Sequence, residues 1–537
     1  MTTSQTSKRL FLFILLLYLA VFSYHTLRYD GRSIDGDEVG FTRTIDVLQN
    51  AQRIPSNDIE EAYSSGYGYQ SVIVFVSELS GIDARTLQEL SRFWLLPFAF
   101  MLLVFYRQAT GDVRIALLSL VLLLLIPDAM YYLLRNTHEK GTWTYLVLMG
   151  YIWIKSYKYS KNPAVFIPLV FTFYLLYFGM AATHVFFSTT IVVTFLLSLL
   201  FSWMITLLPT DFASKKLDRE SIQRVGVIFV ATFLILYLMV TQIYSPSQSY
   251  FRGLELATDR ISLLFFGGDP NIAARVALPT NFVTTGAIWR GTATYLMITG
   301  AQWVIVFTAV YALLRVIFRF IRGRASTEAL LYSLLFASFA AQVVISFIVD
   351  FLGINNFSNL QLRIFVPTGI VAAPLAAMTL YMLITRIKKR FARLTVTSLV
   401  FVGIFLGFVG SVLKFTNDPL VANRYTFFNT QDVAMLSWTN DNISDSTVWV
   451  DTWPHMGAVL TYHALDETEQ YSNEYTYSGT FRSESIRYIA VSDRVMTSMT
   501  EQGLPTYSAE TLNRFPIIYD TGGTSVYKRP AETPYQP

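Results

Sequence analysis

The chain has 537 residues, of which 53% are hydrophobic and only 15% charged, and its mean hydropathy is +0.42. A soluble protein carries about a quarter charged residues, whereas the apolar residues here fall in blocks long enough to cross a bilayer, which excludes a soluble enzyme. With no cysteine in the chain, disulfides, thiolate metal sites and a cysteine nucleophile are excluded as well.

Apolar runs bounded by charge or turn residues predict about eleven transmembrane helices, at 9–27, 90–108, 113–134, 141–157, 163–181, 184–208, 224–244, 293–318, 328–351, 362–385 and 395–414. The first follows Lys8 and Arg9, has no small-residue cleavage site and is longer than a signal peptide's apolar core, so it is expected to stay as an anchor. The positive-inside rule supports the count. Alternate loops collect Arg107 and Arg114; Lys155, Lys158 and Lys161; Lys215, Lys216, Arg219 and Arg224; Arg315, Arg319, Arg322 and Arg324; and Arg386, Lys388, Lys389, Arg390 and Arg393. The N-terminus is therefore expected in the cytoplasm and the C-terminus outside. The basic pI of about 8.9 reflects these loops rather than a nucleic-acid-binding patch.

The outer side then holds loops 28–89, 135–140 and 245–292 and everything from 415 onward. Residues 55–89 contain Tyr63-Ser-Ser-Gly-Tyr-Gly-Tyr69 and an apolar stretch too short to span, read as interfacial or re-entrant. From 415 to 537 there are 15 Asp and Glu against 7 Lys and Arg, net −8. Strands are predicted at Ser446–Asp451 and Ile486–Val491, with a hairpin from Phe515 to Tyr527 turning at Gly522-Gly523. The organisation expected is a polytopic α-helical membrane domain, 1–414, followed by a small extracytoplasmic α/β domain, 415–537. No internal repeat is evident, which weakens a transporter built from paired halves.

Three outer segments carry candidate chemistry. Just beyond the first helix, Asp35-Gly-Asp37-Glu38 precedes Arg43; carboxylates this close repel unless a cation, an arginine or a proton shares the site, or unless they simply face water. The tight turn Arg135-Asn-Thr-His138-Glu139-Lys140 pairs an imidazole with a carboxylate, either as an interfacial polar turn or as part of a divalent-ion site completed by another loop, with Mg²⁺ or Mn²⁺ suited to such ligands. Arg363, in Asn359-Leu-Gln-Leu-Arg363-Ile-Phe-Val-Pro367, either snorkels to headgroups or offers donors to a phosphate.

In their order and placement these motifs resemble the GT-C membrane glycosyltransferases: the oligosaccharyltransferase catalytic subunit, protein O-mannosyltransferases and aminoarabinose transferases. Asp37-Glu-Val-Gly-Phe-Thr-Arg43 is similar to the first-loop motif of the oligosaccharyltransferases. Asn136-Thr-His138-Glu139 is similar to their second-loop Asp-x-Asp or Asp-x-Glu, with His138 in place of an acid. Arg363-Ile-Phe-Val-Pro resembles an Arg-Phe segment near the lipid phosphate. Asp451-Thr-Trp453-Pro-His455-Met-Gly457 sits where a Trp-Trp-Asp-Tyr-Gly acceptor motif would, keeping Trp453 and Gly457 but not the central Asp-Tyr.

The resemblance implies a GT-C fold and a sugar transferred from a polyprenyl-phosphate donor to an extracytoplasmic protein, lipid or glycan. It implies Asp37 as base with Glu38 assisting, or Asp37 as a metal ligand with His138 and Glu139. Arg363, Arg135 and Lys140 would hold the donor phosphate, and Asp451, Trp453, His455 and Tyr462 the acceptor. Glu255 is the candidate for a late-loop glutamate. Single displacement should invert the anomeric configuration, since no second carboxylate is evidently placed for a covalent intermediate. Oligosaccharyltransferase-like transfer to protein is the nearest alternative. A secondary transporter coupling through Asp37, Glu38 and His138, or a non-catalytic scaffold, are the competing classes. A prokaryotic plasma membrane is favoured over the endoplasmic reticulum.

Overall fold

The computed structural model describes residues 3–28, 36–51, 67–207, 219–238, 292–351, 360–416, 430–443, 447–450, 471–472, 486–493 and 512–528. These form sixteen α-helices and five strands. The helices are α1 (Thr3–Arg28), α2 (Gly36–Ala51), α3 (Gly68–Ser80), α4 (Ala84–Leu90), α5 (Leu95–Thr110), α6 (Val113–Leu123), α7 (Pro127–Leu134), α8 (Glu139–Tyr159), α9 (Pro163–Thr183), α10 (Val185–Thr206), α11 (Arg219–Leu238), α12 (Thr292–Ile321), α13 (Thr327–Phe351), α14 (Leu360–Arg386), α15 (Arg390–Phe415) and α16 (Thr430–Asn442).

A helix lies at each of the eleven predicted spans. By length and apolarity eight of the described helical stretches suffice to cross a membrane, or nine if α6 and α7 count as one broken span. That pair corrects one expectation, because 113–134 is not a straight helix but bends by 79° between α6 and α7. The cause is local. Pro127 opens α7, and Ile126 before it leaves the helical region (φ −105°, ψ 88°), as a residue preceding proline tends to do. The broken end is satisfied from outside: the Tyr18 hydroxyl donates to the Leu120 carbonyl at 2.9 Å, meeting the requirement that apolar surroundings place on every backbone group.

The bundle is organised around α14, the most deeply buried span, while α15 lies almost wholly exposed at the periphery. Small residues let neighbours approach α14, and a Cβ on Gly369 would meet the Ile126 side chain at 3.1 Å. Pro374 lacks the N–H that would bond the Ile370 carbonyl. Tyr106 donates its hydroxyl to that carbonyl at 2.8 Å, and Tyr332 donates to the next one, of Val371, at 3.0 Å. Both tyrosines are fully buried, so the proline's lost bond is replaced by Tyr106 of α5, while Tyr332 of α13 bonds the adjacent carbonyl.

Between α1 and α5, the helices α2, α3 and α4 pack on one another through Ile45, Ile73 and Ala84. The helix α3 is amphipathic: Gln70, Ile73 and Ser77 face inward, whereas Val72, Phe75, Val76 and Leu79 are exposed at the i, i+3, i+4, i+7 spacing of one face. At 13 residues it is too short to span.

Beyond α15 a mixed sheet has the order β2-β1-β3-β5-β4, from β1 (Thr447–Val450), β2 (Tyr471–Ser472), β3 (Ile486–Ser492), β4 (Ile517–Asp520) and β5 (Thr524–Lys528). The strands β1 and β3 are parallel, while β4 and β5 form an antiparallel hairpin. Its turn uses Gly522 at φ 80°, whose N–H bonds the Asp520 carboxylate at 2.8 Å. Trp438 of α16 stacks on Tyr519 of β4, with ring centroids 4.7 Å apart.

Candidate functional site

Glu38 and the 135–140 turn, nearly a hundred residues apart in sequence, meet in one buried polar cluster. Glu38 lies in the first turn of α2, where the free N–H groups of a helix start favour a carboxylate. Its side chain is fully buried, and its Oε1 accepts the backbone N–H of Asn136 at 2.8 Å. Its Oε2 faces the Arg92 guanidinium at 3.8 Å, and Arg92 also pairs with Glu89 at 2.9 Å. A buried carboxylate needs such partners to stay charged.

The Gln88 amide joins the two segments directly. Its Nε2 donates to the Glu38 carbonyl at 3.2 Å and to the Asn136 carbonyl at 3.1 Å. Its Oε1 accepts the Thr42 hydroxyl at 2.7 Å. Lys140 reaches into the same cluster, donating to Ser91 Oγ at 3.0 Å and Asn136 Oδ1 at 3.2 Å. It belongs to the 135–140 turn, before the predicted span 141–157. Burial pulls its ammonium pKa down to about 7, against the opposing pull of Glu38.

A wall of rings closes one side. His138 sits between Phe41, at 4.6 Å between centroids, and His184, at 4.3 Å, both edge to face. His184 in turn meets Phe187 at 4.5 Å. His184 lies at the junction of α9 and α10, between the spans Pro163–Thr183 and Phe186–Thr206, and burial, then His138, hold its imidazole well below the usual histidine range. Glu139 bonds the Thr137 hydroxyl and stands 4.0 Å from Arg135, whose guanidinium rests over Tyr131 and Tyr132. Arg363, half-buried in the first turn of α14, is within electrostatic reach of His184.

Of the residues singled out in the sequence, Glu38, Arg135, His138, Glu139 and Lys140 are thus gathered around one locus, and Arg363 borders it. Asp37 lies on α2 directly before Glu38, but its side chain is outside the described residues. So are Glu255 and the acceptor candidates Asp451, Trp453, His455 and Tyr462. Sequence reasoning missed Gln88, Arg92, Thr42 and His184. The one available signal was Glu89-Leu-Ser-Arg92 at the start of an apolar run, where charges need a reason to be.

Among the described residues no three of His, Cys, Asp and Glu are placed to hold a metal. The Glu38 carboxylate is engaged with Asn136 and Arg92, and that of Glu139 with Thr137 and Arg135. The described donors do not by themselves fit a divalent ion.

No family model and no curated protein matches the sequence. Solved structures do match. The archaeal oligosaccharyltransferase AglB from Archaeoglobus fulgidus, in complex with an inhibitory peptide and a dolichol-phosphate, superposes with a TM-score of 0.60 at 12% identity, over 97% of this chain and 74% of that one. The A. fulgidus oligosaccharyltransferase tethered to an acceptor peptide containing the NVT sequon gives 0.59 at 12% identity, over 96% and 73%. ArnT from Cupriavidus metallidurans bound to undecaprenyl phosphate covers 97% of this chain and 98% of that one, at 12% identity and a TM-score of 0.49. The chain has the fold of the GT-C membrane glycosyltransferases.

Proposed function

We propose that the protein is a membrane glycosyltransferase that moves a sugar from a polyprenyl-phosphate-linked donor to an acceptor outside the cytoplasm. The observation that carries this reading is the buried cluster itself. The Glu38 carboxylate is held against the cationic 135–140 turn, through its bond to Asn136 and the bonds of Gln88 to both backbones, within the fold of enzymes solved with a dolichol-phosphate and with an acceptor peptide.

In the proposed reaction the acceptor's oxygen or nitrogen attacks C1 of the sugar while the C1–O bond to phosphate breaks, and the electron pair leaves with the polyprenyl phosphate. The acceptor's proton passes to the Asp37 carboxylate. Glu38 cannot share this task easily, because its oxygens are already bonded; it fixes the start of α2 and so the place of Asp37. Lys140, Arg135 and Arg363 neutralise the charge gathering on the leaving phosphate. With one displacement and no covalent sugar intermediate, the product is inverted. The set Asp37, His138 and Glu139 stands as the proposed site for Mg²⁺ or Mn²⁺, but it depends on Asp37, and no step here is routed through a metal. Asp451, Trp453, His455 and Tyr462 are proposed to meet the acceptor.

Transfer of a lipid-linked oligosaccharide to protein is the second reading, favoured because two matches above a TM-score of 0.5 are structures of an oligosaccharyltransferase, one carrying an acceptor peptide. The test is turnover of a panel of polyprenyl-phosphate sugars by wild type and Asp37→Asn at equal melting temperature, with peptide and glycan acceptors, with and without chelator. The expected result is turnover that falls by at least about a hundredfold in Asp37→Asn, the scale of a general base, with an inverted product. Retention of configuration, or an active Asp37→Asn, would contradict the assignment.

A further inference from the structure

At the end of the bundle opposite the candidate site, arginines of α12 and α14 gather with no acid paired to them among the described residues. Arg363 and Arg386 stand at the two ends of α14, about 35 Å apart at 1.5 Å per residue. Near Arg386 the last turns of α12 carry Arg315 and Arg319, and Arg322 follows directly at its C-terminal end. The i, i+4 spacing puts Arg315 and Arg319 on one helix face, and Arg315 is within electrostatic reach of both Arg319 and Arg386.

The helix end that presents them is firmly built. Gly323 adopts the left-handed conformation at φ 72°, the Arg324 N–H returns to the Arg319 carbonyl at 2.7 Å, and the Gly323 N–H returns to that of Phe320 at 2.8 Å, a Schellman ending. The Arg322 guanidinium lies 3.9 Å from the centroid of the Phe318 ring. No carboxylate lies within ion-pair distance of these arginines among the described residues; the nearby Glu328 is taken by Lys158 at 3.2 Å. Arginines in a helix's last turn complement its dipole, but that does not account for Arg315, which lies more than a turn further in.

The same face continues away from the arginines as Val304, Phe307 and Tyr311, all exposed large apolar side chains. Cations at headgroup depth above an apolar column have the complement of a phospholipid, with a phosphate above and acyl chains below. We infer that Arg315 and Arg319 of α12 and Arg322 just after it, with Arg386 of α14, bind the headgroup of an anionic phospholipid. The inference requires only that the chain spans a membrane, and holds whether or not it is a transferase.

The test compares melting of the full-length protein in nonionic detergent with added phosphatidylglycerol, phosphatidylcholine of the same chains, or inorganic phosphate. Wild type is expected to gain several degrees with phosphatidylglycerol only. Arg315→Gln/Arg386→Gln should lose that gain, and Arg390→Gln/Arg393→Gln, on α15, should keep it. Equal shifts with both lipids, or a full response in the Arg315/Arg386 variant, would overturn the inference. A shift with inorganic phosphate alone would mean a free-anion site and equally overturn it. Should that variant fail to fold, native mass spectrometry of wild type and Arg315→Gln decides. Fewer retained phosphatidylglycerol molecules in the variant are expected, and equal retention refutes the site.

Discussion

Gln88 spans two backbone segments with one amide, donating to carbonyls of residues 50 and 48 positions away. A glutamate there has the same shape but, ionised, can only accept. Gln88→Glu and Gln88→Leu should therefore both loosen the cluster, lowering stability by about 1–3 kcal/mol for the buried bonds lost. Turnover should fall further than the loss of folded protein explains. Melting curves and polyprenyl phosphate release check this, and a fully active Gln88→Glu would show that its donated bonds do not position the site.

Lys140 adds a pH dependence of definite sign. With its folded pKa drawn down to about 7, the cation that is proposed to meet phosphate is present below that pH and lost as pH rises through it. The rate of donor turnover should therefore fall on the alkaline side near neutrality, and Lys140→Arg, which keeps its charge, should move that limb upward. Stability changes in the opposite sense. Between about 7 and the ordinary lysine range the unfolded chain holds a proton that the folded one does not, so this group's contribution rises with pH across the window. A pH profile of turnover beside one of melting separates the two effects.

At the scale of elements, α14 shows how a proline is tolerated inside a buried span. Because Tyr106 takes the place of the N–H that Pro374 lacks at the Ile370 carbonyl, Tyr106→Phe should cost about 1–3 kcal/mol. The cost should shrink in a Pro374→Ala background, where a backbone N–H becomes available. A double-mutant cycle of melting measures the coupling, and additivity would contradict the account. Spans of this kind were legible in the sequence, because twenty apolar residues between charges have one solution in a bilayer. The strands and the Gly522-Gly523 hairpin were legible from alternation and turn residues. The break at Leu123–Pro127 was not, since an unbroken apolar run hides it, although Pro127 marks the place. The cluster around Glu38 was half legible: charges in outer loops named Glu38, His138, Glu139 and Lys140, but Gln88 and His184 carry no charge at neutral pH and matter only through which backbone or ring they reach.

For the whole molecule, the expected orientation places the N-terminus and the arginine-rich loops inside and the 135–140 turn and the tail outside. A chain without cysteine is its own background for labelling. Ser80→Cys, at the exposed end of α3, should react with an impermeant maleimide in intact cells, and Ser326→Cys, in the exposed turn after α12, only after permeabilisation. The reverse pattern would invert the molecule and put the candidate site on the wrong side for an external acceptor.

The central claim, that this fold and cluster transfer a sugar from a lipid phosphate, is tested most directly by release of free polyprenyl phosphate from purified protein given polyprenyl-phosphate sugars and lipid extract from its own host. The account predicts release by wild type and none by Asp37→Asn of equal melting temperature. No release from any donor, with both proteins instead carrying a solute across liposomes, would contradict it and leave the GT-C fold serving transport.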